Sequence, residues 1–321
     1  MADGNLNFDT MKATTIDEYS RYLDDNVSIN NELGKDLKAR GNLRPDRGGL
    51  RILESLSYAF AGDKDGFAFR FTGSAEIPLP NKKFATAAEF ERKMIASPIV
   101  FTDSERLANS GVAQMIDEIQ AKVENAAVLI QNTLANDEYS AGAITDQIGG
   151  LQLLVQDTLS GAVGGINQQS NPWWRNSTQS GALAIENIGG FMTNMYLATK
   201  CNAETITNIY GDNTTWTYYY QSLADLQRFT NTDGKGGFTP NSVAFMGNIP
   251  VKLDGGIGGC CPVGHMYGLN LGKIFLRENK DWKGKRGLQK AINQAVEVDM
   301  FRWAGTMTTS GRRYHGVIFN S

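Results

Sequence analysis

Apolar residues recur at three- and four-residue spacings inside residues 104–135, where Val112, Ile116, Ile119, Val123, Ala126, Ile130 and Leu134 fall on one stripe. The spacing predicts one long amphipathic helix, about 48 Å from end to end at a rise of about 1.5 Å per residue. A coiled coil would continue the same stripe. The chain passes instead into glycine-rich, aromatic sequence, so the helix is expected to lie across a domain. Upstream, Phe67, Phe69 and Phe71 alternate with Ala68 and Arg70 at the period of a strand. The turn residues Pro78, Pro80 and Asn81 separate them from a second extended stretch, Ile95 to Phe101, and the two together predict one long hairpin. A two-stranded ribbon is marginal in water, so its aromatic face needs cover from elsewhere.

Residues 16–40 read as a polar, partly helical arm with too few apolar positions to fold alone, ending at Gly41 and the turn signals Arg44-Pro45-Asp46-Arg47-Gly48-Gly49. From 145 to about 270 the pattern changes to many glycines and aromatics. Strand-like runs fall at Met195 to Ala198, Val243 to Met246 and Ile249 to Leu253, with a helical segment through Tyr218 to Phe229, which predicts a compact α/β unit. Ala295 to Trp303 and Tyr314 to Phe319 read as closing strands that return to the long helix. There is no internal repeat.

Composition narrows the class. The 321 residues carry 31 basic and 34 acidic side chains, so a protein whose main task is neutralising phosphates is disfavoured, and one large or two medium folded units are expected. Charge is uneven along the chain. Residues 1–34 hold seven acids and two bases, residues 35–51 six bases and two acids, as in a solvated arm or one laid across a neighbouring chain or nucleic acid. A second basic stretch, Lys273, Arg277, Lys280, Lys283, Lys285, Arg286 and Lys290 against Glu278 and Asp281, reads as an interface before a nucleic-acid site. No apolar run of about 18 residues could span a bilayer, and the polar start Met1-Ala2-Asp3-Gly4-Asn5 lacks the regions of a signal peptide, so neither a membrane nor export is expected. Cys201, Cys260 and Cys261 are an odd number in a long chain, which argues against a disulfide scaffold.

Chemistry is sparse. Around Gly234-Lys235, Phe229 and Gly236 stand where a phosphate-binding loop needs glycine and Ser or Thr. Gly255-Gly256-Ile257-Gly258-Gly259 lacks dinucleotide-site spacing and reads as a flexible turn, and no serine sits in a nucleophile elbow. Cys260-Cys261-Pro262-Val263-Gly264-His265 offers thiolate and imidazole ligands, but adjacent cysteines suit a tetrahedral site poorly, and a fourth ligand would have to come from Cys201 or His315. With His265 and His315 the only histidines, a histidine relay has little support. The expectation is no catalytic, cofactor-binding or metal residue, and no cofactor.

Five blocks carry a resemblance. The first is Ile148-Gly149-Gly150-Leu151-Gln152-Leu153-Leu154-Val155-Gln156-Asp157 with Val163-Gly164-Gly165-Ile166-Asn167 and Pro172-Trp173-Trp174-Arg175-Asn176. Leu226-Gln227-Arg228-Phe229, Val251-Lys252-Leu253-Asp254-Gly255-Gly256, Met266-Tyr267-Gly268-Leu269-Asn270 and Trp303-Ala304-Gly305-Thr306-Met307-Thr308 follow in order. Together, from about residue 40 onward, they resemble the major capsid protein family of tailed bacteriophages.

That resemblance implies an α+β chain with the Hong Kong 97-type capsid fold. It implies an N-terminal arm (1–50), an extended hairpin loop (51–103), a peripheral domain with a spine helix (104–144 and 271–321) and an axial domain (145–270). It also implies a non-enzymatic subunit, made in the host bacterial cytoplasm, that self-assembles as hexamers and pentamers into the icosahedral virion shell of a double-stranded DNA phage. Implied partners are a scaffolding protein, separate because no long N-terminal scaffolding region is present, a portal protein at one vertex, decoration proteins, and packaged DNA held non-specifically. The hairpin is expected to join subunits. The cysteine pair and its glycine run depart from the family pattern. An encapsulin-type nanocompartment shell protein is the alternative, and a glycine-rich binding protein or enzyme a further one.

Overall fold

A computed structural model describes residues 31–46, 48–49, 51–58, 72–74, 76, 85–108, 112–201, 203–223, 243–246, 249–256, 259–280, 284–285, 289–290 and 296–320, with the side chains of 106–121, 243, 284–285 and 289–290 outside the description. Helix α1 (Glu32–Ala39) starts at Asn31, whose side chain accepts from the Gly34 amide, and it carries Glu32 in its first turn and Lys38 in its last. Strands β1 (Leu43–Pro45), β2 (Arg51–Ser57), β3 (Ala85–Glu91) and β4 (Lys93–Thr102) lead to α2 (Asp103–Ala108) and the long α3 (Val112–Asp137). The short α4 (Leu151–Leu154), β5 (Ala162–Val163), β6 (Ile166–Asn167) and β7 (Ser177–Gly181) precede α5 (Ile188–Thr199). Then come β8 (Asn208–Gly211), α6 (Asn213–Ser222), β9 (Val243–Phe245), β10 (Ile249–Leu253), β11 (His265–Leu269) and β12 (Ile274–Glu278). The chain closes with β13 (Gly284–Lys285), β14 (Gln289–Lys290), β15 (Val296–Thr309) and β16 (Gly316–Asn320).

Two sheets organise these elements. In the first, β15 is the spine: it pairs antiparallel with β12, β13, β14 and β4, and β1 joins the outer edge of β12 in parallel. The second runs β7-β16-β11-β8-β10-β9. A separate ribbon of β2 and β3 turns Ile52, Leu56, Ala88 and Phe90 inward.

The second sheet divides two cores by the alternation of its strands. Tyr210, Tyr267, Leu269 and Val317 point to a core shared with Leu33, Leu37, Phe90, Ile130, Leu134, Leu151, Trp174 and Trp303. Ile209, Val251, Met266 and Ile318 point the other way, against Ile188, Met192 and Met195 of α5 and Tyr219 of α6.

The long stripe holds where it is described: Ala126, Ile130 and Leu134 are buried and Val123 half-buried, while the Ile119 side chain lies outside the described residues. The helix itself has 26 residues, and 109–111, between it and α2, are not described. Four other expectations change. Ile95 to Phe101 belongs to β4, which pairs along its whole length with β15, Lys93 opposite Gly305 and Thr102 opposite Val296, while β3 pairs with β2. Phe67, Phe69 and Phe71 lie outside the described residues. Met195 to Ala198 is the last part of α5, whose buried Ile188, Met192, Met195 and Thr199 keep helical spacing; so short an apolar run carries no period of its own. The helix placed over Tyr218 to Phe229 begins earlier, at Asn213, capped by the Asp212 carboxylate on the Thr214 amide, and ends at Ser222.

The fourth change concerns the tail. The β15 strand does return to the long helix, whereas β16 joins the second sheet between β11 and β7. At the other end, α1 packs on the body, with Leu33 and Leu37 fully buried in the first core, and β1 pairs with β12.

Candidate functional site

The residues considered for a metal are not gathered. The Cys260 thiol donates to Asn136 Oδ1 at 3.4 Å, and the buried Cys261 thiol donates to the His265 carbonyl at 3.6 Å. Burial pushes the Cys260 thiol up to about 12 and Cys261 well above its usual range, so both stay protonated and poorly ligating. His265 Nε2 meets Asp157 Oδ2 at 3.1 Å, and its ring stacks on Tyr267 and Phe319. Cys201 pairs by its backbone with Glu204. The His315 ring accepts the Asn270 amide at 3.2 Å and meets the Thr309 hydroxyl at 3.2 Å; burial and the charges of Arg312 and Lys273 pull it down to about 3, so it is neutral. Among the described residues no group of three His, Cys, Asp or Glu could hold a metal.

The described ends of the glycine run beside the cysteines are closely packed, while Ile257 and Gly258 lie outside the described residues. A Cβ on Gly255 would meet the Asn213 amide at 2.7 Å, and one on Gly259 would meet the Asp254 carbonyl at 2.6 Å. The Cys261 amide donates to that carbonyl at 2.8 Å, so Gly255 and Gly259 permit close approach where a side chain would clash with the start of α6 and with Asp254.

The Ile148–Asn176 block is a joint held by a few buried anchors. Gly150 lies against the Asp137 and Glu138 carbonyls with no room for a side chain, and the Leu151 amide donates to the Glu138 carbonyl at 2.8 Å. Trp174, 1% exposed, donates its indole to the Val163 carbonyl at 2.9 Å. Trp173 stacks on Tyr58 just past β2, with centroids 5.2 Å apart, which fastens the ribbon to the block. Arg312 is fully buried. It donates to the Leu154 carbonyl at 2.7 Å, the Trp174 carbonyl at 3.1 Å and Asn176 Oδ1 at 2.8 Å, and burial lowers it to about 10.

A second polar cluster sits where α1 meets the end of α3 and the loop after β10. Asp254 accepts the Glu32 amide at 3.0 Å, the Leu33 amide at 3.2 Å and the Tyr139 hydroxyl at 2.6 Å. Glu138 accepts from Asn31 Nδ2 at 2.6 Å. Asp36 receives Lys252 Nζ at 2.7 Å, Asn208 Nδ2 at 2.9 Å and the Tyr210 hydroxyl. None of these acids stands out in the sequence. The Asn31 cap ahead of Glu32 and Leu33 is the one signal that could have marked the helix start.

Two surfaces remain. The basic stretch is partly consumed within the chain: Arg277 forks onto Glu54 at 2.6 and 2.9 Å, and Lys273 pairs with Glu204 at 3.2 Å. On the first sheet, α3 covers the Ile99 side, with Lys122 over the Phe101 ring at 5.1 Å. The opposite side shows Met94, Val100 and Met300 at 55%, 44% and 39% exposure, and Val100 stands across from Val298, Pro98 from Met300.

No protein-family model matches the chain, and no curated protein sequence does. Solved structures do match over nearly the whole length. A chain of the cyanophage A-1(L) capsid aligns with TM-score 0.68 at 16% identity, covering 95% of this chain and 96% of that one. The chain has the Hong Kong 97-type capsid fold. Within that fold lie also the capsid of a native GTA particle (TM-score 0.55, 11% identity, 97% and 98% covered) and the holo-SrpI encapsulin complex of Synechococcus elongatus (TM-score 0.56, 10% identity, 99% and 96% covered). Among the described residues no helix is long and apolar enough to cross a membrane.

Proposed function

We propose that this chain is the major capsid protein of a tailed double-stranded DNA bacteriophage, a non-enzymatic subunit that self-assembles into the icosahedral head. The observation that carries the reading is the end-to-end likeness to the cyanophage A-1(L) capsid chain, together with the capsid-like blocks of the sequence. The uncovered apolar side of the β4–β15 ribbon supports it, since an apolar sheet face left in water is the mark of an interface. In this reading hexamers and pentamers form the shell, with a scaffolding protein during assembly, a portal at one vertex, decoration proteins outside and DNA held non-specifically inside. The protein then resides in the virion.

The expected division is an arm, an extended loop based on β2 and β3, a peripheral unit around α3 and the first sheet, and an axial unit around the second sheet. The place of β16 favours assigning residues 316–320 to the axial unit.

The likeness to an encapsulin keeps a second reading in view. Electron microscopy of the purified chain, alone and with a co-expressed candidate scaffold, tests both. Closed shells support the shell reading, and a soluble monomer under every assembly condition overturns it. Shells from the native source that carry DNA and a portal favour the phage; shells that carry a cargo enzyme favour the compartment.

A further inference from the structure

We propose that Asp157 and His265 form a proton-operated clasp, which fastens the Pro262–His265 turn to the Ile148–Asn176 block while it holds a proton and lets the turn go when the proton leaves. The observation that carries it is what the two ring nitrogens face. His265 Nδ1 lies 3.0 Å from the Val263 carbonyl oxygen, and Nε2 lies 3.1 Å from Asp157 Oδ2. A carbonyl and a carboxylate only accept, and a neutral imidazole carries a single N–H. Either neutral tautomer therefore sets a nitrogen lone pair against an oxygen lone pair, on one side of the ring or the other. One additional proton, held between the ring and Asp157, turns both contacts into hydrogen bonds. The sign follows from this count of donors and acceptors and is the same for either tautomer.

The surroundings hold the ring in this place. It stacks on Tyr267 and Phe319, with centroids 6.0 and 5.8 Å away. Its own carbonyl accepts the Asp212 amide at 3.0 Å and the Cys261 thiol at 3.6 Å. Besides Asp157, the ring feels the charge of Asp212, the cap of α6, whose Oδ2 takes the Gly264 amide at 3.0 Å. Both are acids, and both favour an imidazolium. Burial keeps Cys261 and Tyr267 neutral. The His265 side chain is 19% exposed and that of Asp157 37%, so water reaches the pair and can carry the proton away. Burial disfavours the charged ring, but the bonds to Asp157 and the Val263 carbonyl, with the charges of Asp157 and Asp212, outweigh it and hold His265 above its usual 6.5. A base raised on closing favours the closed form while protonated. The clasp is therefore fully closed below 6.5 and opens as pH rises through the raised value, opposite in sign to the buried, neutral His315.

The test is amide hydrogen exchange of Gly264 and His265 in the full chain at about pH 6.5 and about pH 8.5, each corrected by an unstructured peptide of the same sequence. The Gly264 amide donates to Asp212 and the His265 amide to the Pro262 carbonyl at 3.1 Å, so both report the turn. Their protection should fall by about threefold or more at the higher pH. Asp157→Asn offers an amide N–H to a neutral Nε2, which keeps the contact without the additional proton, and should remove most of that fall. If that variant fails to fold, His265→Gln serves instead and should show no fall. Strand β12, away from the turn, reports whether the effect is local. Protection of Gly264 and His265 that ignores pH, an undiminished fall in the variant, or an equal fall in β12 would each overturn the clasp.

Discussion

The second sheet is finished within the chain. Its strands send Tyr210, Tyr267 and Val317 into one core and Ile209, Met266 and Ile318 into the other, so its central strands are buried on both faces, with Leu253 at the end of β10 left 38% exposed. The β4–β15 ribbon is built from similar residues but covered on one side only. Where α3 lies, Ile99 is 3% exposed; on the other side Met94, Val100 and Met300 are open. A buried apolar side chain contributes roughly 1.5–3 kcal/mol, so a fold that leaves several such groups uncovered is holding burial in reserve for another surface. The contrast is between a region stabilised for itself and one stabilised, in our reading, by neighbours.

The largest effect should come from Arg312, which ties the Ile148–Asn176 block to the chain end beneath the finished sheet. Arg312→Ala would leave the buried Leu154 and Trp174 carbonyls and Asn176 Oδ1 without this donor, at about 3 kcal/mol or more. Urea unfolding of the full chain measures it. A shift below about 0.5 kcal/mol would mean the joint is not part of the sheet's stability.

His315 gives the same region a pH dependence. Its folded value of about 3 lies below the usual 6.5, so the unfolded chain binds the extra proton between those values. Stability from this group is full above 6.5 and falls by at most about 1.4 kcal/mol per pH unit below it. The urea midpoint should drop between pH 6.5 and 4.5, and His315→Gln should flatten that slope. An equal slope in the variant would place the acid sensitivity elsewhere.

Between the two regions stands the Trp173–Tyr58 stack, which fastens the β2–β3 ribbon to the block. Trp173→Ala should cost about 1 kcal/mol for the ring pair, read from the melting curve. Its exchange signature should be confined to 51–58 and 85–91. Loss of protection in β8 or β11 instead would join the ribbon to the finished sheet.

How legible this contrast was in the sequence follows from the physics of each part. The α3 stripe could be read because one wet and one dry face impose a period. The β10 strand could be read from its apolar run. The end of β15 could not: Thr306, Thr308 and Thr309 look like surface residues, yet they are buried, Thr308 donating to Glu54 at 2.8 Å and Thr309 meeting His315. Nor could the pairing of β4 with β15, since register between strands this far apart in sequence, Thr102 opposite Val296 and Lys93 opposite Gly305, has no local signal. The polar seat of α1 was missed for the same reason, because Asn31, Glu138 and Asp254 meet only in space. The capsid-like blocks were legible as a resemblance, and the structure explains part of the first as packing: a glycine with no room at Gly150, the Trp174 indole, and the Trp174 carbonyl and Asn176 held by Arg312 from outside the blocks.

The smallest effect on the isolated chain should come from the open side of the ribbon, and it bears most directly on the comparison. Val100 and Met300 are 44% and 39% exposed and lie on neighbouring strands, so Val100→Asp with Met300→Asp leaves the new carboxylates within reach of water. Surface changes of this kind shift stability by about 0.5 kcal/mol or less, so the melting curve of the subunit should be nearly unchanged. Assembly should not be. Two carboxylates set into an apolar contact would have to be desolvated without partners in every interface of the shell, at a cost of several kcal/mol each. The double variant should therefore remain a folded, soluble subunit by circular dichroism and yet form no closed particles by electron microscopy. Normal shells would show that this face meets water in the assembly too, and the line between a finished and an unfinished region would have to be drawn elsewhere.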